Sequence, residues 1–481
     1  MDKTAENKSS LLIRGAELPK RGLFDLRITD DRIDALAAHL EPKGDDKIIE
    51  AQGKVLLPGL HDHHLHLFAA AAARASIHCG PPAVRDEQTL RNVLEQYANL
   101  GDDWLRGVGF HDNVCPTLDR YWLDDVCPNR PLRIQHRSGM LWVLNSRALS
   151  ELYNVAGEEL PAGVELDRHG KLTGRFINLD AWLGQRIPRA WPSLKGLSAD
   201  YARFGITSVT DTGVSNGIDV WNALSSASKR GEILQRVLVM GSEDLHSIQP
   251  EYPERIDLGP LKLYLRETDL PDIELLAQRM RTAHTQGRSV AIHCVTLVEL
   301  HVALAALADA GVRHGDRIEH CAIADDYALQ RLAELGITVV TQPHFIAERG
   351  DQYLCDVDVV DIPLLYRGHG FLRNGVQLAG SSDAPYGSID PWASMRAAVE
   401  RRSAKGVIMK ADECLSPAQA IALYGGSAHE PAAGLRELAV GQLADLCLLD
   451  TTWDHLCADL DASHVALTIC GGRIIYRRDS C

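Results

Sequence analysis

Apolar positions near the N-terminus fall in short runs, "SLLIRGAEL", "FDLRITDDRIDAL" and "KIIEAQGKVLLPG", broken by Gly, Asp and Lys within residues 10 to 57. Runs of that length, partly alternating and bounded by turn residues, predict β-strands. The same texture returns in "GQLADLCLLD" (Gly441 to Asp450) and "VALTICGGRIIYRR" (Val465 to Arg478). Residues 1–57 and 434–481 are therefore expected to complete one β-sandwich from the two ends of the chain.

Between these ends the pattern changes. Val- and Ile-rich runs alternate with longer segments of helical period, such as "DIELLAQRMRTAHTQG" and "LVELHVALAALADAG". Strand followed by helix, repeated, predicts a parallel sheet. The runs are "KVLLPGL", "PLRIQHR", "ITSVTDT", "QRVLVMG", "LKLYL", "SVAIHC", "DRIEHC", "ITVVTQP" and "VQLAGSSD", one more than an eight-stranded barrel needs. Residues 68 to 200 are too long for a single strand-helix step, so "PLRIQHR" is placed in an insertion there. The expected fold is α/β: a (β/α)₈ barrel over residues 58–433, with the insertion and a small terminal β-sandwich.

Composition narrows the class. A chain of 481 residues, 45% of them hydrophobic, can bury a large core, and its net charge of −15, from 50 basic and 65 acidic residues, opposes binding to nucleic acid or anionic membranes. The start, "MDKTAENKSS", lacks the apolar core of a signal peptide, so a cytoplasmic protein is expected. Eleven cysteines with no CxxC pair read as free thiols, and Cys79 as a small apolar residue.

The chemistry lies where the strands stop. His64 and His66 follow "VLLPGL", Lys262 lies in "LKLYL", His293 closes "SVAIHC", His320 closes "RIEHC" and Asp383 closes "QLAGSSD". In a (β/α)₈ barrel those ends converge on one face. His64 and His66, two residues apart on a strand, point to one side and can share an ion, whereas His61 and His63 point the other way. Imidazole and carboxylate are ordinary Zn²⁺ ligands, and an open coordination position yields hydroxide at neutral pH. Asp383 could accept the proton of the attacking water, or instead cap the following helix. His136, Arg137, Asp211, Gln342 and His344 also stand near strand ends, and His111 lies in the insertion at "GFHDN". Of these, His136, His344, Gln342 and His111 are the candidates for contact with substrate.

"LLPGLHDHHLH" resembles the metal-binding opening of the amidohydrolase superfamily, with Pro58, Gly59, Asp62, His64 and His66 at the matching positions. "WVLNSRAL", "KLTGRF", "GITSVTDTG", "DRIEHC" and "GSSDAPYGSIDPW" make the chain most similar to the amidohydrolase-3 branch, which includes YtcJ-like proteins and N-substituted formamide deformylases. The resemblance implies one or two divalent cations, Zn²⁺ with Mn²⁺ or Fe²⁺ as alternatives. It places His64 and His66 on the more buried ion, His293 and His320 on the second, and Asp383 on metal and proton. It also implies a CO₂-derived carbamate on Lys262 as the bridge; an ion pair of Lys262 with Asp269 or Glu267 is the other reading.

The chain departs from the branch at "HCVTLVEL" (His293 to Leu300), at Gly139-Met140 and around Arg266 and Glu267, which bears on substrate rather than on ligands. Thr296 stands where deaminases of the superfamily carry a glutamate, which disfavours deamination. The expected function is hydrolysis of a C–N bond in a small amide, N-formyl or urea-like substrate by metal-activated hydroxide. Ester or lactone hydrolysis on the same site, and a non-catalytic metal-binding barrel, are the alternatives. A homodimer is common for such barrels.

Overall fold

The computed structural model describes residues 10–44, 46–81, 83–101, 103–152, 160–187, 191–248 and 255–478. The chain divides into two units, one formed by Met1–Ala70 with Ser193–Cys481 and the other by Ala71–Pro192.

In the first unit β1 (Ser10–Leu18), β2 (Gly22–Thr29), β3 (Arg32–Ala37) and β4 (Asp46–Glu50) form a sheet in the order β3-β2-β1-β4. The next strand, β5 (Leu56–Pro58), joins a different sheet, and β6 (Leu60–Leu65) begins the barrel. The apolar run "VLLPGL" is thus two strands meeting at Gly59. A Cβ at Gly59 would lie 2.2 Å from Thr207 Oγ1, so only glycine lets the chain pass from sandwich to barrel at this point.

A network buried beneath the N-terminal sheet fastens its edge. Arg27 donates from Nη2 to Asp46 Oδ2 at 3.0 Å, and Lys43 N–H donates to the same oxygen at 2.7 Å. The Arg27 hydrogen bond, helped by Lys43 and Ser10 against the cost of burial, brings the Asp46 carboxyl down to about 2. A carboxyl whose pKa is depressed by folding stabilises the protein above its unfolded value, near 3.8, and that contribution fades as pH falls towards 2. Asp46→Asn is expected to cost about 2 kcal/mol at pH 7, from the size of that depression. Urea unfolding curves of the two proteins, well separated at neutral pH, should converge below pH 4.

The second unit carries a six-stranded sheet built from β7 (Ile77–His78), β8 (Leu105–Phe110), β9 (Leu132–His136), β10 (Leu141–Leu144), β11 (Val164–Leu166) and β12 (Leu172–Ile177), in the order β11-β12-β10-β9-β8-β7. The ninth apolar run, "PLRIQHR", is its β9. Alternate residues of β10 enter different apolar clusters: Val143 packs with Leu132 and Ile134, while Trp142 and Leu144 pack with Phe176 and Leu183. That is the period of two expected of a sheet covered on both faces. Cys79 is buried in the first of these clusters, and burial pushes its thiol up to about 12.

The barrel resumes with β13 (Ile206–Asp211), β14 (Arg236–Gly241), β15 (Ile256–Tyr264), β16 (Val290–Cys294), β17 (Arg317–His320), β18 (Thr338–Thr341) and β19 (Gln377–Gly380). All eight strands are parallel, in the order β6-β13-β14-β15-β16-β17-β18-β19. The seam between β19 and β6 is closed without direct strand pairing. The carbonyls of Leu423 and Tyr424 accept the N–H groups of Gly380 and His61, and beyond the strand ends Asp383 N–H donates to the His64 carbonyl and His66 N–H to the Ala384 carbonyl, both at 2.8 Å. The fold is a (β/α)₈ barrel.

The chain ends with β20 (Leu446–Leu449), β21 (Val465–Cys470) and β22 (Arg473–Arg477), which form the sheet β22-β21-β20-β5. Leu11, Ile13, Leu26 and Ile28 of the N-terminal sheet share one buried cluster with Leu446, Leu448, Leu467 and Ile469. Both termini therefore build the β-sandwich. No helix among the described residues is long and apolar enough to cross a membrane.

Candidate metal centre

Six polar side chains named from the sequence meet at the carboxyl ends of the barrel strands. His64 and His66 reach Asp383 from β6, with His64 Nε2 3.4 Å and His66 Nε2 3.5 Å from Asp383 Oδ1. One ligand atom from each of these three residues lies within 4.8 Å of the others, a spacing that can hold one ion. The His320 ring stands 4.7 Å from that of His64 and 4.5 Å from that of His293. Lys262 faces the same cavity of about 580 Å³, which is lined also by Tyr264, Arg266, Arg349 and Tyr386.

Strand alternation explains most of this convergence. Parallel pairing places Lys262 beside Ala291 and Arg317, and Tyr264 beside His293 and Glu319. Residues paired across parallel strands face the same side, so both rows point inward. His320 follows Glu319 and by parity would point outward. Its backbone turns left-handed, with φ of 65°, followed by 48° at Cys321, and the imidazole comes round into the site. Asp383 has φ of 52°. Left-handed backbone at non-glycine residues costs about 1–3 kcal/mol and concentrates at functional sites.

Glu319 is the residue that the sequence reading missed. Its Oε1 accepts from Arg317 Nε at 2.5 Å, its Oε2 contacts His64 Nδ1, and it is fully buried. Arg317 also donates to the His63 carbonyl at 2.8 Å. Arg317, Lys262 and His64 together hold Glu319 well below the ordinary carboxylate range, against the opposing effect of burial. The available signal was two opposite charges two positions apart in a strand that otherwise reads as core. His64 Nδ1 is thus occupied from behind, and Nε2 faces Asp383 and the cavity.

Lys262 is 3% exposed, and its Nζ has no hydrogen-bond partner among the described residues. The pair with Asp269 or Glu267 does not form. Burial is the main force bringing its pKa down to about 8, with Arg317 adding to it and Glu319 opposing. Burial likewise keeps His293 neutral, its pKa lowered to about 2, and His320 neutral, lowered to about 4. Burial would raise the Asp383 carboxyl, but the hydrogen bonds from His64 and His66 outweigh it and hold Asp383 ionised.

The remaining candidates take other places. Gln342 Oε1 accepts from His320 Nδ1 at 2.9 Å and its amide donates to Ser381 Oγ, so it fixes His320 from behind. His344 bonds the Ser382 carbonyl and Ser394 Oγ, both at 3.1 Å, and is buried outside the cavity lining. Asp211 accepts from Leu67 N–H and Asn216 Nδ2, tying the loop after β6 to the loop after β13. His111 and His136 lie in the second unit with their rings 5.6 Å apart, and His136 Nδ1 bonds Ser138 Oγ. Thr296 caps the helix Leu297–Ala310 in a capping box with Glu299. Asp390, not Asp383, caps the helix Pro391–Glu400. His61 and His63 stack at 4.2 Å on the outer face of β6, where His61 bonds Ser208 and Thr210.

Residues 47–476 match the amidohydrolase family of the Amidohydro_3 group. The chain belongs to the amidohydrolase family. This amidohydrolase is 26% identical to the N-substituted formamide deformylase of Arthrobacter pascens, over 94% of each chain. It shares its fold with an uncharacterized metal-dependent hydrolase from Pyrococcus horikoshii OT3, with a TM-score of 0.77 at 20% identity over 95% of this chain and 99% of that one. A hydrolase of the same description from Pyrococcus furiosus gives 0.73 at 19% identity, over 92% and 99%. Family membership makes the chain a hydrolase.

Proposed function

We propose that this amidohydrolase cleaves a C–N bond of a small amide, N-formyl or urea-like substrate at the carboxyl end of its barrel, with one or two divalent cations, Zn²⁺ foremost. The observation that carries the reading is the cluster of His64, His66 and Asp383, with His293, His320 and the unpartnered Lys262 amine, at the floor of one cavity. The donors fit such a group: imidazoles, of which burial keeps those of His293 and His320 neutral, an ionised carboxylate, and an amine whose lowered pKa supplies the free base that carbamate formation needs. His64, His66 and Asp383 would hold one ion and His293 and His320 a second, with Lys262 as a carbamate between them.

The cation, when bound, polarises the substrate carbonyl and makes water acidic at neutral pH. Asp383 takes one proton from the attacking water. The water oxygen bonds to the acyl carbon, and the C–N electron pair leaves with nitrogen. Asp383 then returns the proton to that nitrogen, giving a carboxylic acid and an amine. Gln342 and Glu319 keep the rings of His320 and His64 fixed while this happens.

A panel of amides, N-formyl amines, ureas and esters, run on metal-loaded and chelated protein, tests the reading. Turnover of at least one C–N substrate that chelation abolishes and Zn²⁺ or Mn²⁺ restores is expected; turnover of esters alone would overturn it. Metal content by plasma mass spectrometry is expected to be about two ions per chain, as the paired arrangement requires. A content of one ion would assign Lys262 to another role.

A further inference from the structure

The charge around the cavity runs against the charge of the chain. The protein carries a net −15, yet beside Lys262, the amine of the carbamate proposed above, the charged residues lining the cavity are Arg266 and Arg349 against the single carboxylate of Asp383. Glu319, beneath them, is already engaged by Arg317 and His64.

Both arginines are held in place by rings rather than by acids. The Arg266 guanidinium lies 5.2 Å above the Tyr264 ring, and Tyr264 in turn stacks on His293 at 4.2 Å. The Arg349 guanidinium lies 4.0 Å over Phe345 and donates to the Tyr386 carbonyl. Among the described residues neither arginine has a carboxylate within ion-pairing distance. The neighbour of Arg349 on its own helix, Glu348, turns to accept from Ser388 N–H. A guanidinium presents five donors in a planar fork that matches a carboxylate, and stacking on a ring orients that fork while leaving its donors unused. Tyr264, Val214 and Tyr386 also line the cavity and are exposed to 44%, 44% and 60%.

We propose that the substrate of this site is an N-acylated amino acid or its close analogue: an acyl-amine that carries a free carboxylate, received by Arg266 in the positive field that Arg349 reinforces, and an apolar side chain set against Tyr264 and Val214. The inference rests on the C–N hydrolase reading above. Arg266 lies two residues beyond Tyr264, past the end of the strand that carries the inward row of Lys262 and Tyr264 and where the sequence departs from its branch, so the carboxylate contact is a property of this chain's own residues.

The test compares substrates that differ by the carboxylate alone: N-formyl-phenylalanine, as both enantiomers, against N-(2-phenylethyl)formamide, and the corresponding N-acetyl pair, on the zinc-loaded enzyme. A charge-assisted contact predicts that kcat/KM favours the carboxylate member by about 10- to 100-fold. In Arg266→Gln that preference should collapse through a rise in KM for the carboxylate substrate with kcat little moved, and Arg266→Lys should recover part of it. The thermal midpoint and metal content of each variant distinguish lost recognition from lost folding. Equal or faster turnover of the neutral member, or a preference that Arg266→Gln leaves intact, overturns the inference while C–N hydrolysis stands. Absence of turnover across the whole C–N panel would instead remove the hydrolase reading, and this inference with it.

Discussion

Asp383→Asn is expected to lower kcat/KM by about 10³-fold on any substrate the enzyme turns over, within the range that general acid–base groups contribute. The substitution keeps the shape of the side chain and removes its charge, so the proposed proton acceptor and the ligand oxygen it would offer disappear together. The backbone should not respond. Asparagine adopts left-handed φ values as readily as aspartate, so the 52° at this position carries over, and the Asp383 N–H bond to the His64 carbonyl belongs to the main chain. A thermal midpoint within a few degrees of the parent, with activity gone, is the outcome to look for. Retention of more than a tenth of the parent rate would assign the proton transfer to another group.

Glu319→Gln has a different signature, because it strikes stability and metal affinity at once. The glutamine leaves Arg317 buried without its countercharge; breaking a buried ion pair from one side costs about 3–5 kcal/mol. It also exchanges the carboxylate behind His64 Nδ1 for a neutral amide, which weakens the orientation and basicity of the ring. Losses of metal affinity from such partners run to about 10–100-fold. Competition with a chelating dye measures the second effect and urea unfolding the first. Unchanged affinity in a destabilised variant would reduce Glu319 to a structural role.

What could be read from the sequence followed the strengths of the β-strand pattern. Apolar runs ending in a polar residue exposed the strand ends at His293 and Asp383, and Lys262 stood out inside "LKLYL", because a buried parallel strand is apolar almost throughout. The run "VLLPGL" misled, since continuity of hydrophobicity does not reveal that Gly59 carries the chain between two sheets. His320 was named from its position, but the left-handed turn that brings it inward is invisible in the string "RIEHC". Glu319 and Arg317 were passed over because charged residues in a strand read as exposed until their mutual pairing is known. Arg266, Arg349 and Tyr386 come from segments after the strands, where hydrophobic periodicity carries no information. Gln342 and His344 were given to the substrate on their position near a strand end, yet the hydrogen bonds they make tie them to His320, Ser381 and Ser382.

The seam between the first and last barrel strands sets the order in which the protein can mature. Asp62 Oδ1 accepts from Ser382 N–H across 320 positions of sequence, and the ligand cluster of His64, His66 and Asp383 straddles that same junction. A chain emerging from the ribosome therefore has no three-ligand pocket until its last barrel strand has been made and has docked against the first. A cation held there would stabilise only the finished barrel, by RT ln(1 + [metal]/Kd), or about 2.7 kcal/mol at a hundredfold excess over Kd. On the function proposed above, loading would act as a latch on completed synthesis, because a chain that lacks its last barrel strand lacks the carboxylate of Asp383 beside His64 and His66.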